Sequence, residues 1–396
     1  MTRLPTRLVL CAVLLWLVVM ALEWQLRRGP SAPAQALTSP AQLLAADTTR
    51  ASMQTMQRSA GGTIPMPANT PSAHASSLLV MPQDSAAVLS AFWFAGQREG
   101  APDVQIAASQ FDRASARWLP ARFVVNRAVA GDALGFGLRR LGNPVAWTDA
   151  TGRIHLFVVA TGLGGWAAGR VLHLVQSSTG NGLAELAFEP VRVMPLSWLW
   201  NTSFLVRSAP LPLADGGMVL PVYFELGIKY PVALRFDAQG NFVSMVRMSR
   251  RQDILQPALL AMSPTHWVAL LRESGFDAHI AALQTFDGGA HWSDLPDLPL
   301  VNPDASVAVL TLSAQQHVMV HNTSPHSRAL LDLSRSTDGL QWSPVQALER
   351  GNGGDEYSYP AMAWADGSLW VSYTDHRTHI AWQRFKPALA ASGAAP

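Results

Sequence analysis

Glu356, Tyr357 and Tyr359 stand together in the stretch Glu356-Tyr357-Ser358-Tyr359-Pro360, directly after the flexible run Gly351-Asn352-Gly353-Gly354-Asp355. A phenol becomes a nucleophile when a neighbouring base takes its proton, and a carboxylate beside it is the simplest such base. The same residues also suit plain packing at the edge of a sheet. Which reading holds depends on what the rest of the chain brings to this place. Other chemistries have less support. The histidines are scattered without zinc-ligand spacing, and there is no Gly-x-Gly-x-x-Gly run, phosphate loop or Gly-x-Ser-x-Gly elbow. Neither a cofactor nor a catalytic metal is called for.

The elements that must position this stretch are strands. Runs such as Ala86–Phe94, Arg153–Val159, Val171–Val175, Met218–Tyr223, Trp267–Leu271, Val307–Leu312, Gln316–Val320 and Leu369–Tyr373 are short and apolar. Turn formers separate them, as in Asp149-Ala150-Thr151-Gly152, Asp237-Ala238-Gln239-Gly240 and Ala365-Asp366-Gly367. No stretch of this region sustains a helical period. With 396 residues, 49% of them hydrophobic, the chain has enough material for a large core. Regular short strands over most of that length predict a radially repeated sheet, a propeller. A net charge of +2 with no basic stripe excludes nucleic acid as the main partner. The one cysteine, Cys11, excludes an intrachain disulfide.

The N-terminus reads differently. Leu8–Leu22 is unbroken apolar sequence with Arg3 and Arg7 before it and Arg27 and Arg28 after it. It is shorter than the about 20 residues a span needs, although Trp24 and Leu26 extend it. Two readings stay open: an uncleaved signal anchor, or a signal peptide cleaved at Ala32-Pro33-Ala34 or Ala34-Gln35-Ala36. Both predict export, either anchored in the inner membrane facing the periplasm or free in the periplasm or medium. The expected organisation is therefore a signal segment over 1–28, an Ala/Pro/Ser-rich linker over 29–72, a propeller over 73–386 and a tail over 387–396.

Two stretches repeat one another. Thr285-Phe286-Asp287-Gly288-Gly289-Ala290-His291-Trp292 and Ser336-Thr337-Asp338-Gly339-Leu340-Gln341-Trp342 share Ser/Thr, Asp, Gly and Trp in order. Asp caps a turn, Gly supplies positive φ and Trp anchors the hairpin. Ser109 to Asp112 with Trp118 is a partial third copy. These resemble the Asp-box of sialidase-type propellers, and from about residue 74 to 385 the chain resembles the bacterial sialidase-like family with BNR-type repeats. Further segments that carry the resemblance are Phe92–Val104, Asn143-Pro144, Gln256-Pro257, Leu271-Arg272, Asn302–Ser306, His321-Asn322 with Arg328, and Glu356–Pro360.

The resemblance implies a six-bladed β-propeller that hydrolyses a terminal α-linked acidic sugar, sialic acid or similar, from a glycan. Sialidases use a Tyr nucleophile rather than a second carboxylate. Carried over, Tyr357 matches the nucleophile with Tyr359 as the alternative, and Asp103 matches the acid/base. Arg272 and Arg328 match the carboxylate clamp, Arg98 the arginine near the acid/base, and Arg377 is a further clamp candidate. Two positions depart from the family. His74 stands where the first clamp arginine is expected. Gln256 stands where the acid partnering the Tyr is expected, which leaves Glu356, Glu225 or Glu99 to serve as base. A catalytically inactive glycan-binding or scaffold propeller of the envelope is the competing expectation.

Overall fold

The computed structural model describes residues 6–27, 32–37, 56–197, 201–275 and 279–387. Six antiparallel sheets follow one another along the chain. The first blade is Ser72–Val80, Ala87–Gly96, Gln105–Asp112 and Arg117–Trp118, with Arg122–Phe123 beside the third strand. The second is Arg140–Thr148, Ile154–Thr161, Arg170–Gln176 and Phe188–Val193. In the third, two short inner pieces, Phe204–Val206 and Leu211–Pro212, precede Met218–Leu226, Ile228–Phe236 and Phe242–Arg247. The fourth is Ile254–Ala261, Trp267–Glu273, Ala281–Thr285 and Ser293–Asp294. The fifth is Ala308–Ser313, Gln316–Asn322, Leu330–Ser336 and Ser343–Arg350. The sixth is Tyr357–Ala365, Ser368–Asp375 and His379–Pro387, completed by Met56–Thr63 from the start of the chain. This is the propeller that the strand spacing predicts, with the six blades that the family resemblance implies.

Each blade is covered by a neighbour on both faces, so the inner strands are apolar at most positions rather than alternating. Ala87–Gly96, Ile154–Thr161 and Ile254–Ala261 are buried at every position. Six apolar clusters fill the six gaps between blades, from the first–second gap around Phe92 and Leu156 to the sixth–first gap around Trp93 and Trp370. Outer strands face solvent and are polar. Met56–Thr63 exposes all but Met56 and the half-buried Ala60, and it closes the ring by pairing with His379–Pro387. That strand lies inside the stretch read from sequence as a linker.

The repeated turns are built as their residues dictate. In the first, Thr285 Oγ1 donates to Asp287 Oδ1 (2.8 Å), Asp287 Oδ1 accepts from His291 N (2.9 Å), and Trp292 Nε1 donates to Gly289 O (3.2 Å). In the second, Asp338 Oδ1 accepts from Leu340 N (2.9 Å) and Gln341 N (2.7 Å), and Trp342 Nε1 donates to Gly339 O (3.0 Å). Backbone donors and the neighbouring hydroxyls hold both carboxyls below the usual range against the effect of burial. In the fourth blade the strand pairing puts Thr285 opposite Trp267 at one end and Ala281 opposite Leu271, beside Arg272, at the other. The Asp-box turn thus marks the base of its blade, and Arg272 marks the mouth.

Upstream, Thr6–Arg27 is a helix. Among the described residues no helix is long and apolar enough to cross a membrane, and nothing in the fold supports the anchor reading. Residues 32–37 form an extended strap across the base between the third and fourth blades. Ala34 N donates to Gly288 O (3.3 Å), Ala36 N to Pro264 O (2.7 Å) and Leu37 N to Pro212 O (3.0 Å), while Gln35 O accepts from Ala214 N (2.8 Å). Ala34 and Ala36 point inward and are buried with the core between these blades.

Candidate active site

The innermost strands share an irregularity that aims side chains at the channel mouth. The pairing register slips between His74 and Ser77, Gly142 and Val145, Leu255 and Ala258, and Ser358 and Ala361. At each slip sits a non-glycine residue with positive φ: Ala75 (54°), Asn143 (44°), Gln256 (54°) and Tyr359 (54°). Bulges of this kind re-aim side chains. Three of the four are followed by proline, which cannot donate to a ladder and so suits a bulge. Positive φ at Gln and Tyr is costly, and such strain persists where surrounding contacts over-determine it.

Gln256 and Tyr359 meet at the mouth. Gln256 Nε2 donates to the Tyr359 hydroxyl oxygen (3.4 Å) and to that of Tyr223 (3.3 Å), and Gln256 Oε1 accepts from Arg272 Nη1 (3.4 Å). Arg272 Nη1 also reaches the Tyr359 hydroxyl oxygen at 3.5 Å, and its Nε is paired with Asp304. These contacts are long, as is common where a site tightens only around its ligand. The Tyr359 ring lies 4.3 Å from the His74 ring, with Arg207 Cζ at 5.1 Å and Arg328 Cζ at 5.9 Å from its centroid. Burial first, and then the nearby Arg377, keep His74 neutral by pushing its pKa well below the ordinary value. Burial, aided by Glu225 and Tyr359, raises the Tyr223 phenol and so disfavours its ionisation. Burial likewise raises the carboxyl of Glu225, which Arg272 and Lys229 partly oppose.

Glu356 is saturated with donors. Its carboxylate accepts from Arg328 Nη1 (3.1 Å), Arg377 Nε (2.8 Å), Arg377 Nη2 (3.0 Å) and Ser358 Oγ (2.9 Å). Burial works against its charge, but Arg377, Ser358 and Arg328 win and hold it down at about 2. It is a fixed anion that orients two arginines. Arg377 itself sits on the two-residue turn His376-Arg377, both residues at positive φ (50° and 57°), between Ser368–Asp375 and His379–Pro387. Hairpin turns of this twist ordinarily take Asn or Gly there. Arg377 O accepts from Ala73 N (3.0 Å) and Ser72 Oγ (3.1 Å), which ties the turn to the first blade, and its guanidinium also pairs with Glu99.

Arg272, Arg328, Arg377, Glu356 and Gln256 therefore come together around Tyr359. Tyr357 lies elsewhere. Its ring packs edge-on against Tyr373 (6.4 Å) and His376 (5.3 Å) in the core between the fifth and sixth blades. In a regular strand residues two apart share a face; the bulge at Tyr359 breaks that alternation and separates the two phenols. Asp103 caps the loop after the second strand of the first blade by accepting from Gln97 N (3.0 Å). Arg98 is exposed and forms no ion pair among the described residues. Glu99, from the same loop, is the residue that reaches the cluster.

Arg207, Asp304 and Tyr223 complete the site without having been singled out in the sequence. The recurring residue-Pro pair at Asn143-Pro144, Gln256-Pro257 and Tyr359-Pro360 is the signal that marks the bulges. Among the described residues, no group of three His, Cys, Asp or Glu is placed to hold a metal ion.

The description of the BNR repeat-like domain fits residues 87–371. Among solved structures, the Hadza microbial sialidase Hz136 superposes with a TM-score of 0.62 at 16% identity, over 79% of this chain and 65% of that one. A protein of unknown function from Dyadobacter fermentans gives 0.64 at 11%, over 84% and 99%. Trypanosoma rangeli sialidase in complex with the inhibitor DANA gives 0.63 at 14%, over 83% and 58%. This chain thus spans less than two thirds of either sialidase, and at these identities the likeness is one of fold. No curated protein matches.

Proposed function

This chain belongs to the BNR repeat-like family, and from that premise we propose that its channel mouth binds and hydrolyses a terminal α-linked acidic sugar of the sialic acid class. The observation that carries the reading is the setting of Tyr359, whose phenol oxygen lies 3.4 Å from an amide donor and 3.5 Å from a guanidinium at the mouth of a sialidase-like propeller. In this reading Tyr359 attacks the anomeric carbon, forming a glycosyl–tyrosine bond as the bond to the leaving oxygen breaks. Asp103 gives that oxygen its proton, and water later returns the sugar. The phenol proton leaves to solvent, because Gln256 is no base and Glu356 has its lone pairs engaged. Charge developing on the phenol oxygen is met by donors already aimed at it. Arg272, held by Asp304, and Arg328, held by Glu356, recognise the sugar carboxylate. Glycan binding has a further, analogous support: one solved relative is Trypanosoma rangeli sialidase in complex with sialic acid.

A second reading, binding without turnover, is favoured by Gln256 in the place of a base. Both are tested by incubating the purified protein with a panel of aryl α-sialosides and α-uronides, with Tyr359→Phe and Tyr357→Phe as controls. Hydrolysis lost only in Tyr359→Phe supports the mechanism. Hydrolysis lost only in Tyr357→Phe moves the nucleophile to Tyr357. Saturable binding with no released aglycone selects the binding reading.

A further inference from the structure

Below Tyr359 the central channel encloses a cavity of about 120 Å³. Inner strands of the first, third, fourth, fifth and sixth blades wall it, and Leu37 of the strap lines it at the base. The walls are mostly apolar; of the four polar residues, Thr311 bonds to Ala261 O and His317 Nδ1, and the other three stand out by their hydrogen bonding. Arg207 is 3% exposed, and its guanidinium donates only to two backbone carbonyls, Ser76 O (3.2 Å) and Pro360 O (2.7 Å). Its Nε finds no partner in the protein, and neither do the buried hydroxyls of Ser77 and Ser208. All three residues line this one cavity, and no acidic side chain does. Among the described residues Arg207 is in no ion pair, unlike Arg272, Arg328 and Arg377.

A full charge taken out of water is expensive unless it is paired, and buried arginines are ordinarily neutralised by a carboxylate. Two carbonyl dipoles offset part of that cost, and burial still lowers the Arg207 pKa to about 10. A walled space lined by three residues that each keep an unpaired donor, one of them a cation in no ion pair, is complementary to a small anion of single charge. A dianion would exceed the one cation available. The remaining volume suits a few waters. We propose that this cavity is a binding site for a halide-sized monovalent anion, held by Arg207, Ser77 and Ser208. The proposal does not rest on the hydrolytic reading, although Arg207 also packs against the Tyr359 ring. Its structural effect falls on the bulges above, because the same guanidinium grips the carbonyls of Ser76 and Pro360, each one residue beyond a positive-φ position.

The test uses the full chain and bromide as probe. Thermal melting is followed in sodium bromide and in sodium gluconate at equal ionic strength, and crystals transferred to bromide are measured at the bromine edge. The expected results are an anomalous peak in the cavity and a melting temperature that rises with bromide and saturates below about 100 mM, since ligand bound to the native state stabilises it by mass action. Ser77→Ala/Ser208→Ala should weaken the apparent affinity at least tenfold, and Arg207→Met should abolish the bromide dependence. Should Arg207→Met fail to fold, the double serine variant carries the comparison alone. Identical melting in bromide and gluconate, or a peak without a saturable shift, overturns the proposal and leaves the cavity to water. A shift that persists unchanged in the serine double variant also overturns it, since the anion would then bind elsewhere.

Discussion

Replacing Gln256 by Glu tests the proposed chemistry more sharply than any deletion. The two side chains are nearly isosteric, and Gln256 is 2% exposed at the bulge between Tyr223 and Tyr359. A carboxylate there would lie about 3.4 Å from both the Tyr359 phenol oxygen and Arg272 Nη1. Attraction to Arg272 at that distance is about 5 kcal/mol at an effective dielectric of about 20. Desolvation of a buried carboxylate costs several kcal/mol, so the fold should change in stability by no more than about 2 kcal/mol. Both phenols would turn from accepting hydrogen bonds to donating them. A positioned base contributes about 100-fold or more, which corresponds to about 2.7 kcal/mol of barrier. The assay is kcat on the aryl glycoside that the native protein binds best, with Tyr359→Phe in the same background. A rise of about 100-fold that disappears in the double variant supports Tyr359 as nucleophile. A folded, ligand-binding Gln256→Glu protein whose kcat stays within twofold of native refutes the reasoning.

Three further outcomes follow from the geometry. Glu356 has its carboxyl held down at about 2 against an ordinary 4.5, so its contribution of about 3 kcal/mol is fully present above pH 4.5 and is lost as pH falls through 2. Glu356→Gln should cost that amount at pH 7 by denaturant melting and flatten the stability profile below pH 4.5. Gly288→Ala would place a methyl 1.8 Å from Ala34 O at φ +66°. The variant should lose about 2–4 kcal/mol and become cleavable by protease within residues 32–37, with unchanged proteolysis counting against the strap. Asp338→Ala removes the acceptor of two backbone bonds and should destabilise by about 1–2 kcal/mol with ligand binding unaltered.

The Asp-box turns were legible because all their bonds close within eight residues, so local sequence specifies them. The inner strands were legible for a similar reason, since burial on both faces leaves continuous apolar runs such as Ala87–Gly96. Ring closure was not. Met56–Thr63 is an outer edge strand whose residues face water, and its composition is that of a linker. The choice between Tyr357 and Tyr359 depends on a one-residue bulge that inverts strand alternation, which periodicity does not register. Arg207 was hidden for a different reason. It sits in Val206-Arg207-Ser208 between two very short inner strands, and only the closing of five other blades around it turns an unremarkable arginine into a buried cation.

The strap over residues 32–37 is fastened to one side of the ring only. Ala34, beside Gly288, and Ala36, opposite Leu213, are both buried in the core between the third and fourth blades, so the Ala-x-Ala spacing that reads as a processing signal also has a steric cause. The strap's bonds to Gly288, Pro264 and Pro212 fasten residues 32–37 to the base of the propeller, on the side away from Tyr359. That segment therefore leaves the mouth around Tyr359 uncovered.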